Sequence, residues 1–330
     1  MIKSILSSTL LSFSFILLSL LMPFSVQAEQ GSVLGIHILN PDEISSAKQL
    51  VSKESSDEWH YMTIPLSLDD IKNRDQWQHF FKEAKKQKVI PIVRLVSRFE
   101  NGAWKVPNRK EITDQIAFLS DLEWPTEQKH LIIFNEVNHA PEWGGKIDPK
   151  SYAEVLSFTS RWARFEDLNY VVLPAAMDLA APNGSSTMEA FNYLEQMLAA
   201  DPEVFDYIDV WNSHSYPNPG FSSSPQGTAK NSLRGFEHEL AFVKEKTNKD
   251  LKVFITETGW VANNKTTPWL ESYYTYALQH IWSDDRIVAV TPFVLRGDPG
   301  PFAGFAFLDK NNNPTSQYIA LQKALQNSKQ

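Results

Sequence analysis

Short apolar runs alternate with amphipathic stretches eight times from Ser32 onward, and this alternation restricts the fold more than any other feature of the chain. The runs are Val33–Leu39, Tyr61–Leu66, Val89–Val96, Leu131–Glu136, Tyr170–Ala175, Ile208–His214, Val253–Glu257 and Ile287–Val294. Runs this short and this apolar read as strands buried on both faces, as in parallel sheets. The stretches between them read as helices. In Leu68–Gln87, for example, Ile71, Trp77, Phe80, Phe81 and Ala84 recur at helical spacing. The other predicted helices are Ile44–Glu54, Glu111–Leu122, Tyr152–Phe165, Met188–Leu198, Leu233–Lys246, Leu270–Trp282 and Ser316–Leu325. Asp148-Pro149 and Thr267-Pro268 read as helix starts, because proline fits the first turn. Eight strand–helix units predict an α/β chain folded as a single-domain (β/α)8 TIM barrel, for which about 250 residues is typical. The alternative is an open doubly wound sheet, which usually has fewer strands and a glycine-rich first turn. Here the first turn, Ile38-Leu39-Asn40-Pro41, has no glycine. Phe221–Gly227, rich in serine, reads as a mobile loop within the domain.

The N-terminus sets the expected compartment. Lys3 precedes a long apolar stretch, Ile5–Leu21, and Val26-Gln27-Ala28 places small residues where a signal peptidase reads them. Residues 1–28 therefore read as a secretory signal and 29–330 as the catalytic domain, secreted, periplasmic or extracellular. The alternative is an uncleaved anchor, since the apolar stretch approaches the length of a span. The formal net charge is −8 and no long basic run occurs, which argues against nucleic acid or an anionic membrane surface as partner. Cysteine is absent, which excludes disulfides, thiolate nucleophiles and cysteine-bound metals. There is no His-x-x-x-His, acidic calcium loop or Gly-x-Ser-x-Gly elbow, so neither a metal, another cofactor nor a serine triad is expected.

In such a barrel the functional groups gather at the carboxyl ends of the strands. Those ends supply Arg94, Asn135-Glu136, His214-Ser215-Tyr216, Glu257 and Arg296, a polar set above an apolar barrel. A carboxylate at the tip of a buried strand is not there for packing, because an unpaired ionised group is costly to bury. Two such tips, Glu136 and Glu257, fall on strands four and seven, on opposite sides of an eight-strand ring. Two carboxyl groups in different protonation states are what glycoside hydrolysis requires. Trp260 reads as a ring stacking on a sugar face, with packing in the core as the alternative. Trp104, Trp143 and Phe302 are candidate sugar platforms on loops. Arg296 and Asp298 read as a pair with each other, and His37 as a packed or hydrogen-bonded core residue.

Asn135-Glu136 ending strand four and Thr256-Glu257-Thr258-Gly259-Trp260 ending strand seven resemble the retaining glycoside hydrolases of clan A, families 5 and 39 above all. Val137 stands where many members have proline, and Phe293 where many have tryptophan. The resemblance implies Glu136 as acid/base, Glu257 as nucleophile and Asn135 as the contact to the sugar 2-hydroxyl. His214-x-Tyr216 is similar to the strand-six His-x-Tyr of many members, in which the tyrosine steadies the nucleophile. The implied reaction is double displacement on β-linked oligo- or polysaccharides, with the carboxyl groups about 5–5.5 Å apart and Glu257 kept ionised by Arg94 or Tyr216. A monomer is expected. The competing readings are a non-catalytic carbohydrate-binding barrel and a metal-dependent hydrolase.

Overall fold

The computed structural model describes residues 31–52, 57–297 and 299–328. The predicted secretory segment lies outside the described residues, and so does Asp298. Eight strands run parallel: β1 (Gly31–His37), β2 (Trp59–Leu66), β3 (Val89–Leu95), β4 (Lys129–Ile133), β5 (Tyr170–Pro174), β6 (Trp211–Ser213), β7 (Val253–Ile255) and β8 (Ile287–Val290). Their spatial order is β5-β4-β3-β2-β1-β8-β7-β6, a nearly closed (β/α)8 barrel. Eight helices surround it: α1 (Ile44–Val51), α2 (Arg74–Gln87), α3 (Arg109–Ser120), α4 (Pro149–Glu166), α5 (Ala190–Ala200), α6 (Gly235–Thr247), α7 (Leu270–His280) and α8 (Ser316–Asn327). All sixteen elements fall where they were predicted, to within four residues at each end except at the start of α2, which lies six residues after Leu68 because Asp70–Lys72 forms a separate 3-10 turn.

Polar side chains hold the seam between β5 and β6. Asp209 donates its N–H to Val172 O (2.9 Å) and accepts the Val172 N–H on Oδ2 (2.8 Å). Asn212 Nδ2 donates to Pro174 O (3.0 Å). Carboxylate and amide groups thus stand in for ladder bonds, which is why β6 begins three residues later than the apolar run Ile208–His214 suggests. Helix starts follow the proline signals in part. Asp148 caps α4 by accepting from Ser151 N–H, with Pro149 in the first turn. Thr267-Pro268 instead forms a 3-10 turn that runs into α7.

The apolar core has two layers. Inside the barrel, Tyr61, Ile90, Ile92, Ile132, Val171 and Phe254 interdigitate. His130 lies among them, in ring contact with Tyr61 and Phe254, and burial lowers it to about 4, so it is neutral at ordinary pH. Between strands and helices, Trp77, Phe80, Phe81, Phe205 and Phe236 form the outer layer. Among the described residues no helix is long and apolar enough to cross a membrane.

Gly35 marks where β1 and β2 approach most closely. A Cβ there would stand 1.9 Å from Tyr61 O, a backbone atom that cannot swing away. Gly35→Ala is therefore expected to cost about 3 kcal/mol, the upper range for overpacking a core. A urea midpoint equal to that of the parent protein would show that the two strands yield.

Candidate active site

The end of β4 is shaped by backbone that few residues adopt. Phe134 and Glu136 both have positive φ, +66° and +33°. Such conformations cost about 1–3 kcal/mol each and persist only where the surroundings hold them. The surroundings do so here. Tyr152 of α4 donates its hydroxyl to Ile133 O (3.0 Å) and accepts from Ala175 N–H (2.6 Å), joining the ends of β4 and β5. Asn138 donates to Asp178 O and Met188 O, both at 3.0 Å, and accepts from Asp178 N–H (3.1 Å). The chain is thereby turned so that Asn135 and Glu136 line the barrel mouth.

Beyond β7 the alternation of side chains does the positioning. Thr256 Oγ1 donates to Asn212 Oδ1 (2.6 Å), and Thr258 Oγ1 donates to Ser215 O (2.6 Å). The two threonines bind sideways to the β6 chain, and the residue between them, Glu257, turns into the cleft.

There the sequence-predicted groups meet. Arg94 Nη1 donates to Glu257 Oε1 (2.7 Å) and to Asn135 Oδ1 (2.6 Å). Tyr216 donates its hydroxyl to Glu257 Oε2 (3.2 Å). His214 Nδ1 is 2.8 Å from Glu136 Oε1 and 3.8 Å from Glu257 Oε2. One ligating atom each of Glu136, His214 and Glu257 all fall within 4.8 Å of one another. Such a trio has room for a cation, but Arg94 already sets its charge against Glu257. The cleft above has a volume of about 550 Å³.

The charges are uneven across this cluster. Burial alone would raise Glu257, but His214 and Arg94 outweigh it and hold the carboxylate well below the usual range. Burial opposes the charge on His214, yet Glu257 and Glu136 together push it above its ordinary value. His37 lies 3.7 Å from Glu257 Oε1, but burial lowers it to about 3. That contact is therefore made by a neutral ring, which also meets Thr256 O at 3.3 Å. Burial, reinforced by Glu257, raises Tyr216 and keeps it a donor.

Several predicted placements are corrected. Trp260 does not line the cleft. It is fully buried in the outer core against Tyr273 and Tyr274, because Gly259 at φ +124° swings the chain away from the mouth two residues after the glutamate. Its Nε1 donates to Ser223 O (2.8 Å), and Val261 N–H donates to Phe221 O (3.0 Å). The serine-rich loop is thus tied down at both bonds. Trp143 is also buried, against Phe134 and Tyr152, and offers no face to a sugar. Trp104 and Phe302 do line the cleft. Arg296 meets Glu43 (3.4 Å) and Asn312 (2.8 Å), and its predicted partner Asp298 lies outside the described residues.

Other cleft residues had not been singled out in the sequence. Glu142, Asp178 and Phe305 all line the cleft, from loops without periodicity. Asp178 accepts from His139 Nε2 (2.9 Å). Only for Glu142 was there a local signal: Ala140-Pro141-Glu142 is a proline-initiated turn six residues beyond the strand tip.

Comparison with known proteins agrees with this geometry. Solved structures share the fold across most of the chain. A monomeric beta-xylosidase from Caulobacter crescentus CB15 superposes with a TM-score of 0.64 at 13% identity, over 89% of this chain and 69% of that one. The GH39 enzyme from Xanthomonas axonopodis pv. citri gives 0.61 at 12%, over 89% and 66%. A triple mutant of the endo-beta-1,4-glucanase from Xanthomonas axonopodis pv. citri gives 0.55 at 14%, over 89% and 99%. No curated protein sequence matches the chain. The family described as the glycosyl hydrolase catalytic core matches residues 67–318, well over half of the sequence. With its barrel and its paired strand-end glutamates, the chain belongs to the glycosyl hydrolase catalytic core family.

Proposed function

We propose that the chain is a retaining glycosidase acting on β-linked glycans, with Glu257 as nucleophile and Glu136 as acid/base. The observation that carries this reading is the separation of the two carboxylates, with oxygens of Glu136 and Glu257 within 4.8 Å. Retention goes with carboxyl groups about 5–5.5 Å apart, and inversion with about 6.5–9.5 Å, which leaves room for a water. Glu257 is also the carboxylate equipped to stay ionised. Arg94 grips Oε1, which leaves Oε2, on the longer Tyr216 contact, to attack the anomeric carbon. As that bond forms, Glu136 gives its proton to the departing oxygen. The glycosyl ester on Glu257 has lost its negative charge, and Glu136 is left as the carboxylate. Glu136 then takes a proton from water, which attacks the ester and releases the sugar with its configuration retained.

The test is covalent trapping. A panel of 2-deoxy-2-fluoro β-glycosides with activated leaving groups should inactivate the protein, and mass spectrometry should place the adduct on the peptide carrying Glu257. An adduct on Glu136, or turnover of the parent glycosides with inverted product, would overturn the assignment. Inert protein that still binds glycans would favour the non-catalytic barrel.

A further inference from the structure

Glu142 and Asp178 line the cleft beside the two strand-end glutamates, and double displacement leaves Glu142 unused. We propose that Glu142 is a specificity-determining residue that receives a protonated amino group of the bound sugar, so that the preferred glycan contains free hexosamine units. The proposal rests on the glycosidase reading above.

Glu142 is held in place. Its turn, Ala140–Glu142, is fixed by Ala140 N–H donating to Ser186 O (2.8 Å) and Gly145 N–H donating to Ala140 O (2.8 Å). Gly144 N–H donates to Trp104 O (2.6 Å), which ties the turn to the two-stranded ribbon Phe99–Glu100 and Ala103–Trp104. A carboxylate and an indole are thereby brought to the same cleft on anchored backbone.

Glu142 also lacks a counter-charge. Its hydrogen bond is to Asn135 Nδ2 at 3.5 Å, the far limit of such a contact, and among the described residues no cationic side chain stands within ion-pair reach. The cations nearby are committed elsewhere. Arg94 serves Glu257 and Asn135, His139 serves Asp178, and His214 faces Glu136 and Glu257. Burial, with the charge of Glu136 behind it, pushes Glu142 up to about 7, outweighing the more distant Arg94 and the long bond from Asn135. A substrate hydroxyl could satisfy one lone pair but would leave the charge. An ammonium would do both, and Trp104, which lines the same cleft, brings an aromatic ring that attracts cations. An N-acetylated sugar offers an amide N–H without the charge.

Calorimetry with β-1,4-linked tetramers of glucosamine, glucose and N-acetylglucosamine tests the proposal at low salt and about pH 7, where Glu142 is about half ionised and a sugar amine still carries a proton in part, so that each charge draws out the other. The glucosamine tetramer should bind at least ~10-fold more tightly than the other two, as a charge-assisted bond in a half-buried site allows. In Glu142→Gln that advantage, read against the glucose tetramer on the same variant, should shrink below ~2-fold. Equal binding of the three tetramers to the parent protein would overturn the proposal. An advantage that survives in Glu142→Gln would overturn it too, because attraction to the net charge of −8 would then explain it. Should Glu142→Gln fail to fold, the variant Glu142→Asp, with the carboxylate drawn back by one methylene, should lie between the two. Binding requires no turnover, so these outcomes are independent of whether Glu257 is trapped as an ester.

Discussion

Glu257→Gln is expected to lower kcat/KM at least ~10⁴-fold, the scale on which loss of a covalent nucleophile is felt. The amide is nearly isosteric, so the cleft keeps its shape while the attacking oxygen loses its charge. Arg94, Tyr216 and His214 would then surround a neutral group. Affinity for glycans should change far less than turnover, because the walls of the cleft are untouched. The same substitution should alter the response to acid. Glu257 is depressed below its unfolded value, so it contributes stability that is fully present above the ordinary glutamate range, about 4.3, and is lost as pH falls through the lower folded value. Glutamine has no such proton to take up. Denaturant midpoints measured from neutral pH down to about 2.5 should therefore fall less steeply in Glu257→Gln than in the parent protein. Turnover within tenfold of the parent would refute the role of Glu257, and parallel acid profiles would refute its charge.

Why the two glutamates could be found in the sequence, and other cleft residues could not, has a physical reason. A buried strand demands apolar residues without interruption, so an acidic group at its tip is an anomaly that only function or pairing explains. Glu136 and Glu257 both stand at such tips, and both face the cleft. The strands and helices were legible for a related reason: periodicity is a property of consecutive residues. Trp260 shows where that information ends. A tryptophan three residues after a strand-end glutamate can turn toward the mouth or the core, and one backbone angle at Gly259 decides between them. Glu142 and Asp178 come from loops, where neither period nor burial restricts residue type, and only the folded chain shows them beside Asn135 and His139. The β5–β6 seam was equally hidden. Asp209 reads as a break in an apolar run, yet it closes the ring by offering a side chain where a ladder bond is missing.

Arg94→Met should reduce kcat/KM about 10²–10³-fold near neutral pH, comparable to removing one preorganised donor from a charged site. It should also move the acidic limb of the profile upward by about one to three pH units, the effect of a neighbouring opposite charge on a carboxylate. Methionine keeps much of the stem of Arg94, whose side chain is only 13% exposed, and removes the charge and both bonds from Nη1. Among the groups facing Glu257, His37 is neutral near neutral pH and Tyr216 is an uncharged donor, so His214 would be the main charge left to hold the carboxylate down. Because the attacking form is the ionised one, activity must then fail at a higher pH than in the parent protein. Arg94→Lys separates the two functions of the guanidinium. A lysine restores the charge, so the acidic limb should return toward its original place. It does not restore the planar fork that reaches Glu257 and Asn135 together, so kcat should stay depressed while the profile recovers. An acidic limb that stays fixed in Arg94→Met would mean that His214, and not Arg94, sets the ionisation of Glu257.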